Sequence, residues 1–189
     1  MAGSHPLAGF TDFWDDVMAD MEATADEYRE AGWDVLELHP GDVVPLPNVS
    51  TAGTGTAVDR LGFDVLLPGD EFTAVQELVA EVDAAFDEYD AYRAQQSDVV
   101  FLVVVMKAET AGKAVAFPLY YADQQAEPML DGAETAGELR TYLRPLDDSE
   151  RVVFTHSDPA PLFPVEWGEE ADADGADDTD ADGAADTEE

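Results

Sequence analysis

The stretch that decides the fold is Val99-Val-Phe-Leu-Val-Val-Val-Met106, eight consecutive apolar residues in a chain of 189. Five of the eight are valine, and β-branched side chains favour extended backbone. Because side chains alternate across a strand, a strand with no polar position is apolar on both faces. We therefore predict a central strand over Asp98 to Glu109 with both of its faces covered.

Two neighbouring segments predict an antiparallel meander around this strand. Lys113 to Ala122 follows after Thr110-Ala111-Gly112, a connection short enough for a tight turn. Asp87 to Ala94 would precede the central strand, although Tyr89 and Tyr92 equally suit an extension of the helix before them.

The rest of the chain alternates between helical and strand-like spacing of apolar residues. From Thr11 to Ala31 these residues recur every three or four positions among acids, which predicts an amphipathic helix capped by Thr11 and ended by Gly32. A second helix begins at Asp70, and its apolar face comprises Val75, Leu78, Val79, Val82 and Phe86. The other predicted elements are strands at Trp33 to His39 and Phe63 to Leu67, a short helix at Ala126 to Gly137 opened by Pro128, and a hairpin of Leu139 to Leu146 with Arg151 to His156.

These elements predict one α+β domain at residues 5–165, with a mainly antiparallel sheet and two principal helices packed on it. Asp42 to Arg60 is rich in Pro, Gly, Ser and Thr and predicts a long loop, which could include a short strand at Val43 to Leu46. Residues 166–189 hold twelve acidic residues and no basic one, which predicts a disordered acidic C-terminal tail.

The charge balance points to a particular solvent. The chain has 44 acidic and 8 basic residues and a formal charge of −36, and the tail accounts for only twelve of the acids, so residues 1–165 still carry −24. Self-repulsion of this size strains a compact fold unless salt screens it, and at about 1 M salt the Debye length is about 3 Å. We therefore predict a halophilic protein adapted to concentrated salt. The alternative is a mesophilic acidic protein that buffers cations or binds a basic partner, but such proteins usually concentrate their charge.

The chain contains no cysteine, which excludes disulfides, thiolate metal sites and a cysteine nucleophile. Its first ten residues lack a basic region followed by an apolar stretch, and its longest apolar run is far below the roughly 20 residues of a membrane-spanning helix. We expect a cytoplasmic protein with no membrane partner.

Three further stretches are distinctive: EYREAGWDVLELHPGD (Glu27 to Asp42), VFLVVVM (Val100 to Met106) and FTHSDP (Phe154 to Pro159). Together they resemble a small, uncharacterised family of haloarchaeal proteins. The resemblance covers roughly residues 5–165. It implies a haloarchaeal cytoplasm and assigns neither an activity nor a catalytic residue.

The sharpest candidate site combines two histidines that each end a predicted strand and are closely followed by an acid. These are His39 with Asp42 and His156 with Asp158. If the two strands ended side by side, two imidazoles and two carboxylates could hold Zn²⁺ or Mn²⁺ or act as a general acid and base. The alternative interpretation makes each Asp a turn residue and each His a half-buried strand residue.

Other motifs are incomplete. Asp64, Asp70 and Glu71 with Lys107 suggest a metal-dependent nuclease, but Val105 stands where that motif needs an acid. Gly53 to Val58 lacks the third glycine of a dinucleotide fingerprint, and no serine has a nucleophile-elbow context.

The basic and aromatic residues are also sparse candidates. Arg140, Arg144 and Arg151 could form a small anion-binding patch, although pairing with the surrounding acids explains them better. With so few bases we expect no nucleic-acid partner. The large aromatics could line a ligand pocket or a partner surface, but all except Trp167 are expected in the core: Trp14, Trp33, Tyr120 and Tyr121.

Two functional hypotheses follow. The first is a non-catalytic regulatory or protein-interaction module without a cofactor. The alternative is a small-molecule or divalent-metal-binding domain, including a metal-dependent hydrolase, that uses His39, Asp42, His156 and Asp158 with the Asn48 to Arg60 loop as a lid. The sequence does not determine the oligomeric state.

Overall fold

The computed structural model describes residue 7 and residues 9–47 and 60–164. The predicted acidic tail and most of the predicted lid loop lie outside these residues. None of the helices in the described ranges is both long and apolar enough to cross a membrane.

The apolar stretch forms the second-from-edge strand of a four-stranded sheet, the first sheet. Its strands are β1 (Asp34–Glu37), β4 (Glu88–Gln96), β5 (Val99–Ala108) and β6 (Lys113–Ala122), in the order β1-β6-β5-β4. β5 pairs antiparallel with β4 and β6, so the predicted meander is confirmed and Asp87 to Ala94 does not extend a helix. β1 joins the other edge, parallel to β6.

The remaining strands form a second sheet, where the sequence pattern predicted only one. They are β2 (Asp42–Pro47), β3 (Leu61–Leu66), β7 (Glu138–Arg144) and β8 (Val152–Ser157), in the order β2-β3-β7-β8. β7 and β8 form the predicted hairpin, and β3 and β7 are parallel. Gly62 permits that parallel contact, since a Cβ there would lie 1.7 Å from the backbone oxygen of Arg140.

Three α-helices accompany the sheets: α1 (Thr11–Glu30), α2 (Gly69–Glu81) and α3 (Asp123–Ala136). The α+β class is therefore confirmed, and α3 is the short helix predicted beside the two principal ones. α2 ends before Val82, so the apolar pattern that continued to Phe86 passes into the loop before β4. α3 begins three residues earlier than predicted and contains Pro128 in its interior.

Both faces of the first sheet are covered, as its central strand requires. On one face α1 buries Val17, Met21 and Ala25, and the ring of Phe13 lies 4.6 Å from that of Phe101. On the other face the second sheet packs through rings such as Phe63 and Tyr121, whose centroids are 5.7 Å apart. The predicted core aromatics are confirmed: Tyr120 and Tyr121 are buried, and Trp14 and Trp33 pack against the core.

Candidate functional site

The strand registers separate the four predicted metal ligands. Asp42 pairs with Leu66 on β3, and Leu66 pairs with Arg144 at the end of β7. His156 pairs with Leu139, five residues earlier on β7 and about 16 Å away along the strand. Since β2 and β8 are also the opposite edge strands of the second sheet, the structure does not bring the four side chains to one point.

His39 instead lies near acidic residues of α1, α2 and β1. Its Nδ1 lies 2.7 Å from Oε1 of Glu71, and its backbone N–H donates to the other oxygen of Glu71 at 2.6 Å. Glu22, Glu37 and His39 offer ligand atoms that all lie within 4.8 Å of one another. A carboxylate that holds one imidazole nitrogen leaves the other nitrogen free to bind a metal. We call Glu22, Glu37 and His39 the α1–β1 cluster.

A cation already reaches this cluster. One terminal nitrogen of Arg29 lies 2.7 Å from Glu37 and also donates to the backbone oxygen of Val35. The guanidinium also lies 2.9 Å from Asp26, so it supplies positive charge to Glu37 and Asp26, and a metal ion would have to share Glu37 with it.

The two aspartates of the predicted site have structural contacts. Oδ1 of Asp42 accepts from the backbone N–H of Val43 at 3.0 Å and from the hydroxyl of Tyr120 at 3.2 Å. Asp158 has a φ of 53°, and its backbone oxygen accepts from Tyr89 at 2.8 Å. Asp158 is thus a turn residue, as the alternative interpretation of the sequence had it.

His156 is fully buried in the second sheet. Its Nε2 lies 2.8 Å from the hydroxyl of the buried Thr141, and the ring of Tyr89 packs edge-on at 4.8 Å. Its Nδ1 has no hydrogen-bond partner among the described residues. Burial lowers the pKa of His156 to about 4, because the charged imidazolium would lose its hydration.

The basic side chains are engaged within the chain. Arg140, Arg144 and Arg151, the candidate anion patch, lie within 2.8 Å of Glu138, Asp64 and Asp148 respectively. Lys107 binds Asp90 at 3.0 Å, and Lys113 binds Asp34. Arg60 lies over the ring of Tyr142 at 5.9 Å. These cations therefore stabilise the fold rather than form an open anion site.

A groove of about 320 Å³ runs between α1 and the β4 side of the first sheet. Its apolar lining includes Phe101 and Val103, and its polar rim on α1 includes Asp20 and Glu27. Tyr92, on β4, lines the groove and is 48% exposed. The groove is therefore apolar inside and acidic at its border.

One end of the groove is fixed by a polar network. The hydroxyl of Tyr28 on α1 donates to Asp90 on β4 and lies 3.3 Å from the hydroxyl of Tyr92. Burial opposes ionisation of Asp90, but hydrogen bonds from Tyr28 and Lys107 outweigh it, so the pKa of this carboxyl is lowered. The network ties α1 to β4 and holds the groove's geometry.

Sequence reasoning found only part of these arrangements. His39 was singled out, and Glu37 shares its side of the strand in the alternating pattern. Glu22 and Glu71 come from separate helices, and no spacing in the sequence connects them to His39. The groove depends on how far α1 covers the sheet, for which the sequence carries no signal.

The buried imidazole predicts a specific dependence of stability on pH. Between pH 6.5 and about 4 the unfolded state binds a proton at this residue that the folded state does not, so the free energy of unfolding falls as pH falls through this window. The unfolding free energy lost through this residue reaches about 3 kcal/mol below about pH 4, and no such loss occurs above pH 6.5. In His156→Gln, which keeps a polar group near Thr141, chemical denaturation at constant KCl should lose this component.

A Thr141→Val variant keeps the imidazole and provides the control. Its unfolding free energy should retain the dependence on pH seen for the unmodified chain. Parallel curves for the unmodified chain and His156→Gln from pH 4 to pH 7 would show that His156 does not titrate as described.

Comparison with known proteins gives a family but no activity. No curated protein and no solved structure is significantly similar to the chain. A family model described as "Family of unknown function (DUF7529)" matches residues 4–164, which covers both sheets and all three helices. The chain therefore belongs to DUF7529, a family of unknown function.

Proposed function

We propose that this chain is a non-catalytic protein-interaction module of a salt-adapted cytoplasm, and that it binds its partner in the groove between α1 and β4. The observation that carries this proposal is the combination of an apolar interior with an open border strand. Partner surfaces are typically built from an apolar centre with a polar rim. Phe101 and Val103 provide the apolar centre, and Asp20 and Glu27 provide the polar rim.

The position of the groove supports binding of a chain segment rather than a small molecule alone. In the part of the chain that the structure describes, β4 is an edge strand of the first sheet and pairs only with β5. Its outer edge therefore has no strand partner among the described residues, and Tyr92 presents a large, exposed ring beside it. Aromatic side chains at such borders contribute strongly to protein interfaces.

Filling the groove should abolish this interaction. Ala23 is exposed on α1 and lines the groove, so Ala23→Trp would occupy its volume without removing a core side chain. A photoreactive amino acid at residue 23 of the full chain, irradiated in lysate at 2 M KCl, should capture a discrete protein. Once that protein is purified, we expect Ala23→Trp to weaken its binding at least about tenfold, a loss of about 1.4 kcal/mol.

Ala111→Trp is the matched control, because Ala111 is exposed in the turn between β5 and β6 and does not line the groove. It should leave the affinity unchanged. Equal effects of the two substitutions, or equal cross-linking from residues 23 and 111, would contradict binding in the groove.

The charge distribution supports the salt-adapted part of the proposal. The formal charge is −36, and six of the eight basic residues, both lysines included, are in ion pairs in the described fold. A seventh, Arg60, lies over the ring of Tyr142. Few cations remain to offset the exposed carboxylates, so screening has to come from the solvent.

Lowering the salt concentration should therefore destabilise the fold. We expect the free energy of unfolding of the full chain to fall by about 2 kcal/mol or more between 2 M and 0.1 M KCl, a large share of a typical total. The combined variant Asp12→Asn, Asp15→Asn and Asp16→Asn removes three exposed charges from α1 and should lose less. An unfolding free energy independent of KCl would rule out salt adaptation.

The α1–β1 cluster favours a second candidate function, binding of a divalent metal ion. Three ligand atoms already converge within 4.8 Å, and Glu71 orients the imidazole of His39 from behind. Zn²⁺ or Mn²⁺ would suit one nitrogen and two carboxylate oxygens, with solvent completing the coordination. This candidate keeps His39 from the site predicted by sequence and replaces its partners.

Metal titration tests this second candidate. Calorimetry with Zn²⁺ in 2 M KCl should show one site, weakened at least about tenfold by His39→Gln or Glu22→Gln through loss of one ligand. Asp158→Asn, which preserves a residue suited to positive φ, should have no effect. Absence of binding, or equal losses in all three variants, would exclude the α1–β1 cluster as the site.

A further inference from the structure

We infer that the occupant of the groove is a basic, extended segment of another protein that pairs with β4 as a fifth strand of the first sheet. This inference rests on the proposed interaction function and adds the chemistry of the partner. Pairing of an extended segment with an open sheet edge combines main-chain hydrogen bonds, which give affinity, with side-chain contacts, which give specificity.

β4 is the edge best suited to accept a strand. It has nine residues and no proline, whereas the edge strand β2 has six residues and includes Pro45 and Pro47, which cannot donate a backbone hydrogen bond. β1 has only four residues and β8 has six. A nine-residue edge offers the longest run of outward main-chain groups among the four described edges.

The charge around the groove selects a basic occupant. Asp20 and Glu27 both lie on its α1 side and are exposed. Arg93 also borders the groove, but it pairs opposite Leu102, so its side chain leaves the sheet on the face away from α1, where it donates to the backbone oxygen of Phe163. No cation among the lining residues is therefore directed at Asp20 or Glu27.

The chain itself has no suitable segment for this role. Residues 1–6 and 48–59 contain no lysine or arginine, and residues 165–189 contain twelve acids and no base. A second copy would bring another −36 charge to an acidic border. The occupant therefore comes from a different protein with local positive charge.

The spacing of the two acids fits basic residues on one face of a strand. Seven residues of α-helix place Asp20 and Glu27 about 10 Å apart along α1. Residues two and four apart on one strand face are separated by about 7 and 13 Å. Flexible arginine side chains at either spacing could adjust to two acids that lie about 10 Å apart. In concentrated salt the Debye length is about 3 Å, so only ion pairs in direct contact remain strong. The match between the spacing of the acids and that of the basic residues therefore matters more there than in dilute buffer.

The test uses a blocked ten-residue peptide, added to the full chain in 2 M KCl, in which every second residue is alternately Arg or Val and the residues between them are Thr, so that Arg and Val share the face turned toward the groove. We expect saturable binding by fluorescence anisotropy and slower amide hydrogen exchange in residues 88–96 of β4. The double variant Asp20→Asn, Glu27→Gln should weaken binding about fivefold, since each contact pair contributes modestly. Asp12→Asn with Asp15→Asn removes the same charge from α1 positions outside the groove and should have no effect.

Two control peptides separate the contributions. A peptide with Glu in place of Arg tests the charge, and one with two central Val residues replaced by Pro tests the main-chain pairing, so both should bind at least about tenfold more weakly. Equal binding of the Arg and Glu peptides, or protection outside residues 88–96, would overturn the inference. So would a dimer of the chain that Ala23→Trp dissociates, because a second copy would then occupy the groove.

Failure of the peptide does not by itself disprove the interaction function. If residue 23 still captures a protein whose binding Ala23→Trp weakens, the groove is an interface and only the basic, extended chemistry of the partner is wrong. If residue 23 captures nothing specific and the peptide also fails, the proposed function and this inference both fall.

Discussion

The fold depends on the need to cover β5 on both of its faces. Eight apolar residues in succession leave no side of this strand that tolerates water, so one layer of cover is not enough. α1 supplies the cover on one face, through contacts such as Phe13 with Phe101. The second sheet supplies it on the other, through rings such as Phe117 and Phe154 stacked at 6.2 Å. A single helix has limited width, and the groove lies where its cover gives way to the edge strand.

The scarcity of cations shapes the rest of the structure. Several of the basic residues connect separate elements: Arg29 joins α1 to β1, Arg144 joins β7 to β3, and Lys107 joins β5 to β4. Such pairs contribute little individually at an exposed surface, but a half-buried pair resists screening better than an exposed one. The cations are therefore used where two elements meet, and exposed acids such as Asp20 and Glu27 are left to the solvent or to a partner.

Local pattern predicted the elements better than their assembly. The β5 and β6 segments were found because alternation and β-branching are properties of neighbouring residues. The division into two sheets was missed, since the parallel pairing of β3 with β7 joins segments about 80 residues apart and is decided by packing. The end of α2 at Glu81 was missed because Val82 and Phe86 continue the apolar spacing although the backbone at Val82 is already extended. The spacing of apolar residues predicts which side chains are buried. It does not predict whether the backbone at those residues is helical or extended.

The same distinction explains the candidate sites. His39 and His156 look alike in the sequence, each at a strand end with an acid close behind, yet one reaches Glu71 from α2 and the other is buried against Thr141. The two histidines differ in what packs against them. His156 lies on β8, in the sheet that packs on the first sheet, whereas His39 lies beyond the end of β1, near residues of α1 and α2. A histidine becomes a ligand or a core residue according to the neighbours that packing brings to it. In a chain with this excess of acidic residues, a carboxylate near a histidine is common. The informative observation is a carboxylate that also orients the imidazole. Glu71 does so at His39, because one of its oxygens contacts Nδ1 and the other accepts from the backbone N–H.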